Sequence, residues 1–229
     1  MGMITRGQDF AASAAWDATL TDLDPFEFNR FRRMCLASGD DLADLSDPDI
    51  LRALGLVPLS APVSIGAVLL FGTGSAVQRW VPNAEVLFQD VRSGHPPTNI
   101  QMVEPLLKTA EKLRDLVDAQ NTVTEVMAGL LRVEVPLIPS ITRREAVANA
   151  LVHRDYTAVG PIRLQLTDGS FVVSSPGGFP PGVTTQNILD QSRPRSLILA
   201  GAFKRAGLVE RKGKGVNDMF EQQLRAGRD

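Results

Sequence analysis

Residues 144–156 read "REAVANALVHRDY". Val147, Leu151 and Val152 recur at helical spacing among small alanines at 146, 148 and 150, so the stretch is expected to be a helix with one apolar face. Glu145 and Asn149 stand four apart and therefore share a face, one above the other. A glutamate beside an asparagine can hold a divalent cation through oxygen, and the carboxylate can also polarise water. Solvated helices carry such pairs too, so this helix alone leaves both readings open. Its start is expected to be capped by Ser140 or Thr142. His153, at its end, can either face a ligand or lock the corner into the next strand by hydrogen bonding to backbone.

The segments that follow sharpen the reading. "PIRLQLTDGSFVVSS", residues 161–175, holds two alternating runs joined at Asp168-Gly169, a favoured hairpin turn. Next comes "PGGFPPG", residues 176–182, whose prolines and glycines fix a defined loop that a base or phosphate can approach without meeting a side chain. "SLILAGAFKRAGLV", residues 196–209, is helical by periodicity. "GKGVNDMF", residues 213–220, puts two glycines before a last helix, where free amides and the positive helix end receive phosphate.

Upstream, the pattern is mostly helical. "DPFEFNRFRRMCLASG", residues 24–39, places Phe28, Phe31, Met34 and Cys35 on one face, with Asp24 as N-cap and Gly39 at the stop. "LSDPDILRALGLV", residues 45–57, reads as a short helix capped by Ser46 or Asp47 and ended by Gly55. "SIGAVLLFG", residues 64–72, is expected to be a buried helix, and "AEVLFQDV", residues 84–91, a strand. The run from Asn99 to about Leu131 is the longest helical candidate, with a break near residues 120–124. "VEVPLIPS", residues 133–140, is extended.

Composition limits the classes. The 229 residues suffice for one large domain or two small ones, and the hydrophobic share of 44% is that of a globular protein. No apolar run approaches the length of a membrane span, and the start lacks a signal peptide's apolar segment, so the expectation is cytoplasmic residence without a membrane partner. Cys35 is alone, and with only His95 and His153 beside it a structural zinc site is not expected. The net charge of -2 gives no global basic field, but residues 190–229 hold nine basic and five acidic side chains. That local excess is either a solvated surface or a phosphate-facing patch.

Taken together, "REAVANALVHRDY", "VSSPGGFP" and "SRPRSLILAGAFKRAGLVERKGKGV", in that order, resemble the RecG-like ATP-binding protein family of the DNA helicase C-terminal type, a branch of the GHKL ATPase superfamily. "LRALGLV" and the region of residues 69–88 are similar to the family's middle part. The resemblance implies an α+β fold: a GHKL-like layer of helices against a sheet over residues 136–229, preceded by a mainly helical region over residues 1–135 with a strand near 84–91. Family members commonly begin with an Alba-like, Schlafen-type domain, which this chain is expected to lack.

The resemblance also implies ATP and magnesium as ligands. Glu145 is then the catalytic residue that orients water, and Asn149 the magnesium ligand. Arg154, Asp155, Ser175, Gly177, Gly178, Arg193, Arg195, Gly213, Lys214 and Gly215 are the implied nucleotide-binding positions. Three positions depart from the family: Ser175 and Ser196 each replace an asparagine, and Lys214 stands between the two glycines, where it either neutralises phosphate or is an exposed turn lysine. The expected function is an ATP/Mg-binding regulatory module of a RecG-like transcriptional regulator, at most a weak ATPase. The alternatives are a scaffold or protein-interaction module that has lost its nucleotide, or a regulatory protein binding DNA through flanking domains or its basic C-terminal surface. Homo-oligomers are compatible with either. Helicase activity is not expected, since no G-x-x-x-x-G-K-[ST] loop exists. "HRD" is not a kinase catalytic loop either, because Gly160 stands where that loop needs asparagine.

Overall fold

The computed structural model describes residues 9–58, 61–94, 96–128, 130–180, 182–189, 193–209 and 215–227. The chain opens with short 3-10 turns, then α1 (Pro25–Ser38), α2 (Asp47–Ala53), α3 (Ile65–Phe71) and α4 (Gly74–Trp80). Strands β1 (Val86–Asp90) and β2 (Thr98–Met102) precede α5 (Leu106–Gln120), the hairpin β3 (Val123–Ala128) and β4 (Leu131–Pro136), and α6 (Ser140–His153). The hairpin β5 (Ile162–Leu166) and β6 (Phe171–Ser174) follows, then α7 (Leu197–Arg205) and α8 (Gly215–Arg225). No helix among the described residues is long and apolar enough to cross a membrane.

This is an α+β fold. A mixed four-stranded sheet has the order β2-β1-β5-β6, with β1 and β5 parallel and the outer pairs antiparallel. Val86 pairs with Ile162, Phe88 with Leu164 and Asp90 with Leu166, and all six are buried, so alternation gives the sheet one core face. The five apolar ones join one buried cluster with Leu107, Leu113 and Val117 of α5 and Val147, Leu151 and Val152 of α6, while Asp90 pairs with Arg92. The sheet takes β1 and β2 from before residue 135 and β5 and β6 from after it.

Local chemistry explains most elements. Asp24 caps α1 by accepting from the Phe26 amide at 2.9 Å, and Gly39 closes it at φ +70°. Ser46 caps α2, and every residue of α3 is buried, including Phe71, which stacks on Phe28 at 4.3 Å. The Asp168-Gly169 turn joins β5 to β6, and the Asp168 carboxylate accepts from the Ser93 amide at 2.7 Å, tying that turn to the loop after β1.

Two expectations are corrected. The helical run from Asn99 to Leu131 divides into β2, α5, β3 and the start of β4: Pro105 is the N-cap at which α5 begins, and Thr122, Val123 and Thr124 favour extended backbone over helix. α6 is not capped by Ser140 or Thr142. Its N-cap is Pro139, which has no capping side chain, and the first turn closes through the Arg143 amide on the Pro139 carbonyl at 3.0 Å.

Candidate functional site

The i, i+4, i+8 spacing of Glu145, Asn149 and His153 puts all three on one face of α6 and along about 12 Å of its length. All three line a cavity of about 810 Å³, bounded also by the loop after β6, by α7 and by the start of α8. A volume of that order accommodates a nucleotide-sized ligand. The Asn149 amide makes no hydrogen bond among the described residues and is free to serve the cavity.

Glu145 is only 2% exposed. One of its oxygens pairs with Arg144 at 3.1 Å. The other lies against Gly215, the first residue of α8: a Cβ there would come within 2.2 Å of it. The carboxylate thus meets the positive end of α8, where an anion is stabilised.

Ser175 closes the other end. Its hydroxyl donates to the Ala150 carbonyl at 3.0 Å, which ties β6 to α6 and leaves the oxygen's lone pairs as acceptors. The loop then turns through Gly177 at φ +111° and Gly178 at φ +60°. Gly177 has no room for a side chain, since a Cβ would meet that of Asp155 at 2.3 Å, whereas the space beside Gly178 is open to the cavity. Phe179 stands on the wall, about half exposed, and does not fill the cavity.

The remaining implied positions divide. Arg193 and Gly215 line the cavity. Arg154 does not: it is 1% exposed, and its guanidinium donates to the carbonyls of Asp155, Ala158 and Gly160 while lying 5.2 Å from the Tyr156 ring centre. The corner after α6 needs those donors, because its backbone carbonyls lack partners in a helix or strand. Asp155 accepts from the Thr157 amide at 3.0 Å, and its amide donates to the Pro176 carbonyl. Burial alone would raise its pKa, but the Thr157 hydrogen bonds and the charges of Arg195 and Arg154 outweigh it and hold the carboxyl below its usual range. Arg195 is likewise a clamp, donating to the carbonyls of His153 at 3.1 Å, Gly177 at 2.9 Å and Gly178 at 3.0 Å. Gly213 and Lys214 lie outside the described residues.

His153 lines the cavity but its Nδ1 is buried without a partner among the described residues, and its pKa is lowered, by burial first and then by Arg195. At neutral pH it is a neutral imidazole. Lys204 also lines the cavity and was missed in the sequence. The signal was available: Leu197, Ala200, Gly201 and Lys204 form an i, i+3, i+4, i+7 stripe distinct from the buried one of Leu199, Ala202 and Phe203. Cys35 offers no nucleophile, since it is buried and its thiol is pushed up to about 12. No group of three histidine, cysteine, aspartate or glutamate side chains converges among the described residues.

Residues 160–229 match the family described as "Putative ATP-dependent DNA helicase recG C-terminal". The match covers less than half of the chain. The RecG C-terminal match begins at β5 and takes in Ser175, the glycine loop, α7 and α8, while α6 with Glu145 and Asn149 lies just before it. The chain is also similar to the solved structure of the DIP2311 protein from Corynebacterium diphtheriae, at 26% identity and a TM-score of 0.77 over 97% of its own length. It spans 44% of that protein. No curated protein matches the chain.

Proposed function

We propose that the chain is an ATP-binding regulatory module of the RecG C-terminal type, with weak hydrolysis or none. The observation that carries this reading is the free Asn149 amide, aligned with Glu145 and His153 along one wall of a nucleotide-sized cavity. The base takes the end formed by Ser175, Gly178 and Phe179, where Ser175 offers an acceptor to an amino group. The phosphates take the end formed by Asn149, Glu145 and the start of α8. Magnesium, which enters with the phosphates, neutralises charge there, and the Asn149 oxygen is the residue that holds it.

Weak hydrolysis follows from Glu145. A general base needs its carboxylate free to reach water. Here the carboxylate is almost wholly buried, ion-paired with Arg144 and pressed on Gly215. Unless α8 draws back, it orients no water. The experiment is equilibrium binding of ATP with magnesium alongside phosphate release. Saturable binding with release near the uncatalysed level supports the reading, whereas rapid release that Glu145→Gln abolishes would show an ATPase instead.

A second reading has its own observation. Both serines that replace family asparagines serve the fold: Ser175 holds Ala150, and Ser196 donates to Asp9 at 3.0 Å while capping α7. A nucleotide-free interaction module would keep these bonds. DNA contact, through flanking domains or the basic excess after residue 190, is a further role of the same module; retention of duplex DNA that weakens with salt would support it, and no retention at low salt would discard it.

A further inference from the structure

Helix α7 forms a wall of the cavity. Leu197, Ala200, Gly201 and Lys204 face it, while the opposite stripe is buried in the core. Gly201 has no packing reason to be glycine, since a Cβ there would meet nothing within 4 Å. A mid-helix glycine is costly compared with alanine, and here it leaves a notch on the cavity side, one turn before Lys204. The Lys204 ammonium has no ion pair or hydrogen bond among the described residues, and neither has the Arg193 guanidinium on the neighbouring loop. The lining carboxylate, Glu145, is already paired with Arg144.

The wall is also anchored at both ends. At its start, the Asp9 carboxylate accepts from the Ser196 hydroxyl at 3.0 Å and from the Ile198 amide at 3.3 Å. At its end, the Ser38 hydroxyl donates to the Arg205 carbonyl at 2.6 Å, and Arg205 pairs with Asp40 at 3.1 Å and Asp41 at 3.3 Å. Lys204 is therefore presented by a fixed element, so less ordering cost falls on binding.

We propose that Lys204, reached across the Gly201 notch and assisted by Arg193, is the group that selects for a polyphosphate, so that the cavity favours nucleoside di- and triphosphates over nucleosides. The inference rests on the nucleotide reading given above. Lys204 and Arg193 are exposed at the cavity wall; an exposed cation attracts a phosphate chain, an attraction that salt screens, and adds nothing to a neutral nucleoside.

The test compares wild type with Lys204→Met, which keeps the aliphatic stem and removes the charge, using ATP, adenosine and inorganic tripolyphosphate as probes. The expected result is that the variant binds ATP and tripolyphosphate about tenfold more weakly, a change of one decade in Kd, with adenosine binding and melting temperature unchanged. Wild-type affinity for ATP should also fall more steeply with salt than that of the variant. Unchanged ATP affinity in the variant, or an equal loss for adenosine, would overturn the proposal while leaving nucleotide binding standing. Binding of tripolyphosphate that depends on Lys204, without binding of ATP or adenosine, would sink the nucleotide reading and retain this anion site. A wild type that binds none of the three probes ends both.

Discussion

Gly215 rests against the Glu145 carboxylate so closely that a methyl group at residue 215 would lie 2.2 Å from the nearer oxygen. Alanine ordinarily improves a helix, yet Gly215→Ala must displace Glu145 or α8. We expect it to lower stability by about 1–3 kcal/mol, the range for overpacking. Adding Glu145→Ala should restore most of that loss and Glu145→Gln, of the same size, should not. Thermal unfolding of wild type, the three single variants and the two double variants measures this coupling. Additive losses in the Glu145→Ala double variant would show that the contact is not what requires glycine.

Arg154 joins α6 to β5. Its guanidinium is fully buried and satisfies three backbone carbonyls of the corner. Arg154→Ala should cost about 3 kcal/mol, on the scale of several charge-assisted hydrogen bonds lost together. Lysine offers no planar fork and should rescue little. Denaturant unfolding checks both variants. Loss of ligand binding without loss of stability would return Arg154 to the site.

Acid should loosen the same corner in two stages. His153 is held neutral, so its contribution is complete above the ordinary value of 6.5 and is lost as pH falls from there toward its lowered folded value. Asp155 is also depressed: its contribution is complete above 3.8 and is lost as pH falls through the folded value. Melting temperatures from pH 8 downward should therefore drop in wild type below about pH 6.5, near the reference histidine value. His153→Gln should remove that first stage and keep the acidic one. Identical profiles for the two proteins would contradict the assignment.

Ser175 separates the two functional readings. Its bond to Ala150 predicts a modest stability loss for Ser175→Ala, about 1 kcal/mol for one hydrogen bond. If the hydroxyl also receives the base, ATP affinity should fall beyond that of tripolyphosphate, which lacks a base. Parallel titrations of both ligands check this. Equal affinities in variant and wild type would leave Ser175 as a purely structural link.

The legible parts of the fold were those specified by neighbours in sequence. Asp24 and Gly39 bracket α1, Ser46 caps α2, and Asp168-Gly169 turns the β5–β6 hairpin, each through chemistry spanning a few residues. β3 and β4 were less legible because their pairing, and not their composition, makes them strands. The parallel join of β1 to β5 is a tertiary decision that no local pattern encodes. At the site, the α6 stripe was legible because a helix fixes the spacing of Glu145, Asn149 and His153. The contacts of Arg154 and Arg195 were not legible, because arginine suits an anion and a cluster of carbonyls equally well. Only the fold shows which one it meets.

Calorimetric titration of ATP with magnesium into wild type and Asn149→Ala tests the central claim most directly. Saturable heat in wild type, weakened at least about tenfold in the variant with melting temperature preserved, is the predicted result. Absence of saturable binding in wild type at millimolar ATP, or equal affinity in the two proteins, would contradict it.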